Sequence, residues 1–353
     1  MRSKILFILK RREDYNADKH AHIGLSTGSY NSAVFMHQML VDCGLDSKIV
    51  IVIDNNDIDR EVFKYKPTHV IIEALWVVPT KFSVLCKLHP NVKWIVRLHS
   101  NIPFLAGEGM AFDWIGDYVS YKNVNIAVNS DRALREIRYF LGSKMKWTDE
   151  TAASRVIYLP NYYPQEFKRK KLDKSKDIIN IACFGAIRPM KNHLLQAVAA
   201  IEFADSIGKK LKFHVNFGRV EMKGDTALRN LKSLFLHLHE SGHELIGHEW
   251  THRDEFLQLC SKMDLGLQCS LSETFNIVGA DLLSQGVPIV TSKEIPYVGR
   301  IFQTNAVSSK DISNKLRIAY RFPKFNLLIN QYLLKRYTSD SKNVWVNYFK
   351  NEL

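Results

Sequence analysis

Short apolar runs alternate along the chain with longer stretches in which apolar residues recur at helical spacing. In the first half the runs of strand character are Lys4–Leu9, Ser47–Ile53, Thr68–Leu75, Lys93–Leu98, Val124–Val128 and Val156–Tyr158. Helical patterns lie between several of them, as in Ser29–Val41 and Asp131–Phe140. The second half repeats the rhythm with Ile178–Phe184, Lys212–Asn216, Glu244–Ile246, Leu265–Gln268 and Pro288–Thr291. Strands that alternate with helices make parallel sheets with helices on both faces, so the expected class is α/β. The rhythm breaks at Phe167–Asp177, FKRKKLDKSKD, which is too charged and too poor in large apolar residues to enter a core. It reads as an exposed basic linker, 167–177, between a first domain of residues 1–166 and a second of 178–324. The remaining segment, 325–353, carries Tyr332, Leu333, Leu334, Trp345, Val346 and Phe349 and is helical in character.

Composition agrees with two globular domains. The chain has 353 residues, 46% hydrophobic and 24% charged. No run approaches the roughly 18 apolar residues of a membrane span. The opening MRSKILFILKRRED has too short an apolar run for a secretion leader and no small-residue cleavage site, so it reads as a first buried strand. Cys43, Cys86, Cys183, Cys260 and Cys269 are scattered through apolar contexts without paired or metal-type spacing, which fits free thiols in a reducing, cytoplasmic compartment. The formal net charge of +13 and pI near 9.4 point to an anionic partner, nucleic acid or an acidic membrane surface. That charge is spread over Lys10–Arg12, Arg132, Arg135, Arg138, Lys168–Lys176 and the C-terminal segment.

The densest candidate chemistry lies in Ser270–Thr291, SLSETFNIVGADLLSQGVPIVT. Glu273 and, eight residues on, Asp281 flank an apolar run that stops at Gly286-Val287-Pro288. Local pattern gives a loop, a helix of about three turns and a buried strand. Glu273 then stands at the helix start beside the N–H groups of Thr274, Phe275, Asn276 and Ile277. Such a spot suits a ligand with hydroxyls for the carboxylate and phosphates for the N–H groups. The plainer alternative is a capping acid followed by a solvated acid on an amphipathic helix. The second domain opens with ACFGAIRPMKNH, where Gly185 ends a strand and Arg188 and Lys191 follow in a turn. Two cations there suit a diphosphate; the alternative is solvated charge.

Together these segments resemble the retaining glycosyltransferases of the GT-B architecture, in particular the large glycosyltransferase family 4. Ser270, Glu273, Phe275, Gly286, Pro288 and Val290 match the family signature, whereas Asn276 replaces a Gly and Asp281 replaces a second Glu. The resemblance implies two Rossmann-like domains facing a cleft, with the last helix crossing back to the first domain. It implies a nucleotide-sugar donor, a UDP-sugar first, with no metal and no further cofactor. Glu273 would bind the donor sugar and Asp281 the ribose. Lys191 matches the family's diphosphate-binding Lys, six residues past Gly185, while the family's Arg position holds Ala186 and Arg188 lies two residues later. Gly28, in Ser26–Ser32, resembles the family's Gly-rich loop, and Pro160-Asn161 its Pro-Asn before the linker. His99, in WIVRLHSN, matches a His at the floor of the cleft near the donor sugar. His248 and Glu249 fall where the family packs around the donor base.

Retaining members have no agreed protein nucleophile, and a leaving phosphate oxygen takes the acceptor proton. The rival mechanism is inversion with His20 or His22 as base. Two further motifs are set aside. His248-Glu249-Trp250-Thr251-His252 matches H-E-x-x-H, but a helix starting at Thr251 leaves His248 in a loop. Asp57-Ile58-Asp59 reads as acids at a helix start. The positive charge and compact length resemble viral transferases that modify hydroxymethylated bases in DNA, which would place the protein in a host cytoplasm. DNA is thus the first acceptor expected, with a lipid or surface glycan the alternative. A basic, non-catalytic nucleic-acid-binding protein of the same fold is the rival from another class.

Overall fold

The computed structural model describes residues 3–10, 28–164 and 166–351. Its strands form two six-stranded sheets in which every pairing is parallel. The first sheet contains β1 (Lys4–Lys10), β2 (Asp46–Val52), β3 (His69–Glu73), β4 (Lys93–Leu98), β5 (Val124–Val128) and β6 (Val156–Tyr158), ordered β2-β1-β3-β4-β5-β6. The second contains β7 (Ile178–Ala182), β8 (Lys210–Asn216), β9 (Glu244–His248), β10 (Leu265–Gln268), β11 (Ile289–Ser292) and β12 (Gln303–Thr304), ordered β9-β8-β7-β10-β11-β12. The expected α/β class with two Rossmann-like halves is what the chain adopts.

Alternation within each strand divides the first core into two faces. Val70, Ile72, Trp94, Val96, Ile126 and Val128 pack on one side. Ile71, Ile95 and Ala127 pack on the other, where Trp345 and Phe349 of the last helix join them. β3 is shorter than the apolar run Thr68–Leu75 suggested, because Ala74 turns the chain out at φ 72°. β9 is longer than expected and runs to His248, which pairs with Asn216 of β8. His248 therefore ends a strand and does not lie in a loop. The following helix, Arg253–Ser261, starts two residues later than Thr251.

By residue contacts the described chain forms two compact units, residues 3–10, 28–164 and 338–351 in one and 166–337 in the other. The 29-residue helix Pro323–Asn351 contributes to both. Its buried face is Asn326, Asn330, Leu334, Thr338, Ser341, Trp345 and Phe349, spaced three or four apart. In the second unit Asn326 accepts from the Ile289 N–H (3.0 Å) and donates to the Ile289 carbonyl (2.8 Å), as a neighbouring strand would. In the first, the Trp345 indole donates to the Pro160 carbonyl at 2.6 Å and Ser3 donates to the Phe349 carbonyl at 2.7 Å.

The basic segment 167–177 is exposed at most positions, yet it is packed onto the second unit. The Lys168 N–H donates to the Ser284 carbonyl at 2.6 Å, and the Lys170 ammonium donates to the Met263 carbonyl. Gly286, at φ +76°, makes the approach feasible: a Cβ there would stand 2.8 Å from the Lys168 carbonyl oxygen. No helix among the described residues is long and apolar enough to cross a membrane.

Candidate active site

In the second sheet β7, β8 and β9 step outward one way and β10, β11 and β12 the other. The order therefore reverses between β7 and β10, and the loops leaving their carboxyl ends part. Open α/β sheets bind ligands in that crevice. Both motif segments arrive there: Gly185–Lys191 follows β7 and Ser270–Asn276 follows β10.

The Lys191 ammonium donates to Glu273 Oε2, with the two side chains only 11% and 12% exposed. The Asn276 amide donates to the same oxygen at 3.2 Å, and the Thr274 N–H also bonds the carboxylate. Burial pushes the Glu273 carboxyl up, but the charges of Lys191 and Arg188 and these hydrogen bonds more than offset it, so the group sits below its ordinary range. Glu273 is therefore ionised at neutral pH.

Asn276 occupies the left-handed region at φ 65°. That accounts for its standing where the family has Gly, since Asn is among the few side chains that tolerate this backbone. Its Oδ1 accepts from the Gly279 N–H at 2.8 Å, and its amide donates to Gln268 at 2.8 Å. The helix consequently begins at Ile277 and has eight residues, shorter than the three turns expected from sequence and displaced from Glu273. Thr274 is buried, Ile277 is partly buried, and Phe275 packs against Tyr297 and Tyr337, with ring centroids 5.0 and 5.4 Å away.

Gly185 adopts φ +116° and donates its N–H to Asn216 Oδ1 at 2.9 Å. A Cβ there would meet nothing closer than Lys191 Cε at 4.0 Å, so the backbone faces open space beside the cation. Arg188 bonds Glu221 at 3.3 Å and keeps 23% of its side chain exposed. His193, the first residue of the helix His193–Ser206, is 2% exposed. Burial first, then the charges of Lys191 and Arg188, push it down to about 3, so it is neutral.

The other candidate residues have partners of their own. Asp281 is 1% exposed, and its Oδ1 accepts from Arg253 at 2.7 Å. His248 stacks on His214, with centroids 5.2 Å apart and rings inclined 12°, and their nitrogens lie 2.9 Å apart. Burial, then His248, pushes His214 down to about 4. Glu249 is exposed beyond the strand end. Asp57 starts a helix and accepts from the Ile53 N–H at 3.0 Å, while Asp59 pairs with His89 at 2.7 Å. No group of His, Cys, Asp and Glu among the described residues is arranged to hold a metal ion.

In the first unit His99 follows β4, and its Nε2 bonds Glu73 of β3. Glu73 stands directly across from Arg97 in the β3–β4 register and accepts from its guanidinium at 3.2 Å. Arg97 is fully buried and also donates to the Leu159 carbonyl (3.1 Å), Ser32 (3.4 Å) and Asn161. Burial raises the Glu73 carboxyl, and the charges of Arg97 and His99 bring it below its usual range. An ionised carboxylate only accepts, so His99 Nε2 carries the proton of this hydrogen bond. Gly28 begins the helix Gly28–Asp42 and is exposed. Ser26, Thr27, His20 and His22 lie outside the described residues.

No protein-family model matches the chain, and no curated protein sequence matches it. Solved structures do. OtsA in its apo form aligns with a TM-score of 0.68 over 99% of each chain at 10% identity. HepE of Anabaena, in complex with UDP and glucose, aligns at 0.65 over 99% of this chain and 100% of its own, at 11% identity. A trehalose-6-phosphate synthase, studied for glycosyltransfer with retention, aligns at 0.62 over 83% of this chain and 76% of its own, at 11% identity. The fold is that of the GT-B glycosyltransferases.

At such identities the likeness is one of fold. Within this GT-B chain the sequence reading passed over Glu73 and Arg97. The signal was present, because a charge inside each of two apolar runs, Thr68–Leu75 and Lys93–Leu98, requires a partner once buried. Arg253, the partner of Asp281, carried no such signal at the start of an amphipathic helix.

Proposed function

We propose that the chain is a retaining glycosyltransferase that takes a sugar from a nucleoside-diphosphate donor, a UDP-sugar first, and passes it to an acceptor hydroxyl. The observation that carries this reading is the Lys191–Glu273 pair beyond the carboxyl ends of β7 and β10, with Gly185 open beside it. Lys191 and Arg188 supply fixed positive charge for the diphosphate. As the bond from the anomeric carbon to the phosphate oxygen breaks, its electron pair leaves with UDP, and those cations stabilise the growing charge without reorganising. Gly185 admits the phosphate close to the backbone. Ionised Glu273 accepts hydrogen bonds from the sugar hydroxyls. The acceptor oxygen forms its bond on the same face of the sugar, and its proton goes to the leaving phosphate oxygen. We assign Asp281, which holds Arg253, to the ribose end of the donor, and His248 and Glu249 to the surroundings of the base.

Inversion is a second reading, favoured by the hydrogen bond to Glu73 that orients the His99 ring, as a carboxylate orients an imidazole base in acyl transfer. The anomeric configuration of the product separates the two. The acceptor placed first is a hydroxymethylated base in duplex DNA, supported by the net charge of +13; a lipid or surface glycan is the alternative. The test is release of nucleoside diphosphate from a panel of nucleotide sugars, with and without hydroxymethylated duplex DNA. DNA-stimulated UDP release supports the donor and the acceptor of this reading. Release stimulated only by a glycan or lipid acceptor keeps the transferase and moves the acceptor. Donor binding without turnover on any acceptor would leave a binding protein of the same fold.

A further inference from the structure

The second unit contains a cavity of about 780 Å³, bordered by Lys170, Lys171, Lys174 and Lys324. Asp264, just before β10, and Pro288, just before β11, also line it, so it opens at the amino ends of the strands. Lys191 and Glu273 lie beyond the carboxyl ends. The four residues of β10 stand between the two places, about 13 Å of strand. One small ligand does not fill both.

The cavity's charges are arranged for an anion. Four lysines there face two carboxylates, which leaves the lining with an excess of positive charge. Asp264 accepts on Oδ2 from the Asn180 N–H (2.9 Å) and side-chain amide (3.0 Å), and Asp173 accepts on Oδ1 from the Ser175 N–H (3.0 Å) and hydroxyl (2.6 Å). Lys170 and Lys174 donate to the Met263 and Arg321 carbonyls. Lys171 and Lys324 are exposed at the border. Burial pushes Lys170 down, against the pull of Asp264, and a bound anion would pull the same way as Asp264. The rest of the lining is apolar, with Leu172, Pro323 and Leu327 beside Pro288. The volume falls in the range of small-molecule sites, roughly 300–1,000 Å³.

We propose that this cavity is a second ligand site, for a phosphate monoester with an apolar body. The phosphate is held by the lysines, and the body lies on the proline and leucine surface. Such a ligand is either a free phosphorylated metabolite or the phosphate head of a membrane lipid. The site is independent of the transfer reaction proposed above.

The test uses the full chain and octyl phosphate as probe, followed by calorimetry. Octyl phosphate is expected to bind with a submillimolar dissociation constant and without displacing UDP. Lys171→Gln with Lys324→Gln, both exposed positions, is expected to weaken it about tenfold or more, since each lost charge contact removes a sizeable share of the affinity. Leu327→Trp, which fills the apolar side, is expected to reduce octyl phosphate binding and spare inorganic phosphate. UDP affinity should be unchanged in both variants. Co-sedimentation with phosphatidylcholine vesicles containing phosphatidic acid, lost in the double variant, identifies the lipid source; binding of octyl phosphate with no vesicle binding identifies the free one. Absence of octyl phosphate binding at millimolar concentration, equal binding by the double variant, or competition with UDP would each overturn the proposal.

Discussion

At Glu273 burial disfavours the carboxylate, and the charges of Lys191 and Arg188 outweigh it. Removing either member of the pair therefore acts on the chemistry more than on the fold. Lys191→Ala and Glu273→Gln are each expected to lower UDP release about 10²–10³-fold, the scale of losing one preorganised charge contact, with the circular dichroism spectrum unchanged. Near-normal turnover in both would put the donor elsewhere. Gly185→Ala should cost about 1–3 kcal/mol in denaturant titration, because its φ of +116° strains any residue with a Cβ. Donor affinity should fall with it. The family resemblance, not their spacing, singled these residues out, and that they follow strand ends was legible from the apolar runs before them. The engagement of Asp281 by Arg253 was not, because it joins positions 28 residues apart through helix packing that no local pattern encodes.

At the scale of elements, strands were easier to read than helix starts. β4, β5, β6 and β10 coincide with their apolar runs, since a strand buried on both faces is apolar throughout. The helix after Glu273 begins late because Asn276 takes a left-handed backbone, a choice composition does not reveal. The β3–β4 pair carries the next prediction. Arg97→Met strips the buried Glu73 of its main partner and should cost about 3–5 kcal/mol by chemical denaturation. Adding Glu73→Gln should recover part of that loss, because no unpaired charge remains. Failure to recover would mean that the bonds of Arg97 to Leu159 and Asn161 matter more than the ion pair.

For the whole molecule, acid stability has two origins with the same sign. Glu73 and Glu273 are depressed in the folded chain, so the stability they contribute is complete above the unfolded carboxyl value, about 4.3, and is lost as pH falls through their lower folded values. His193 and His214 are held neutral to about 3 and about 4. The unfolded chain protonates these two near 6.5, so their share of stability begins to fall below that pH. Thermal midpoints measured from pH 8 to pH 3 should therefore decline gently below about 6.5 and steeply below about 4.3. Activity should survive a chelator, since side chains supply the charge at the diphosphate; loss restored by manganese would reverse that assignment. If duplex DNA is the acceptor, binding should weaken steeply as salt rises, through counterion release. Weak binding to DNA at physiological salt would shift the acceptor to a lipid or glycan. The architecture at this scale was legible from rhythm alone. The basic segment 167–177 is exposed at most positions, as expected of a linker, but its packing along the amino edge of the second sheet was not legible, because it rests on backbone contacts distant in sequence.

The helix Pro323–Asn351 has a consequence for the order in which the chain acquires its structure during synthesis. Strands β1–β6 leave the ribosome before those of the second sheet, yet one face of their sheet is closed by Trp345 and Phe349, made only after the whole second sheet. Residues 166–337, by contrast, include all six strands of the second sheet and the part of the helix that packs on them. The half translated later can therefore close first, while the earlier half waits with an apolar face uncovered, the condition in which nascent chains engage chaperones. Ribosome-bound chains stalled after Tyr337 should resist protease over 166–337 and remain sensitive over 28–164.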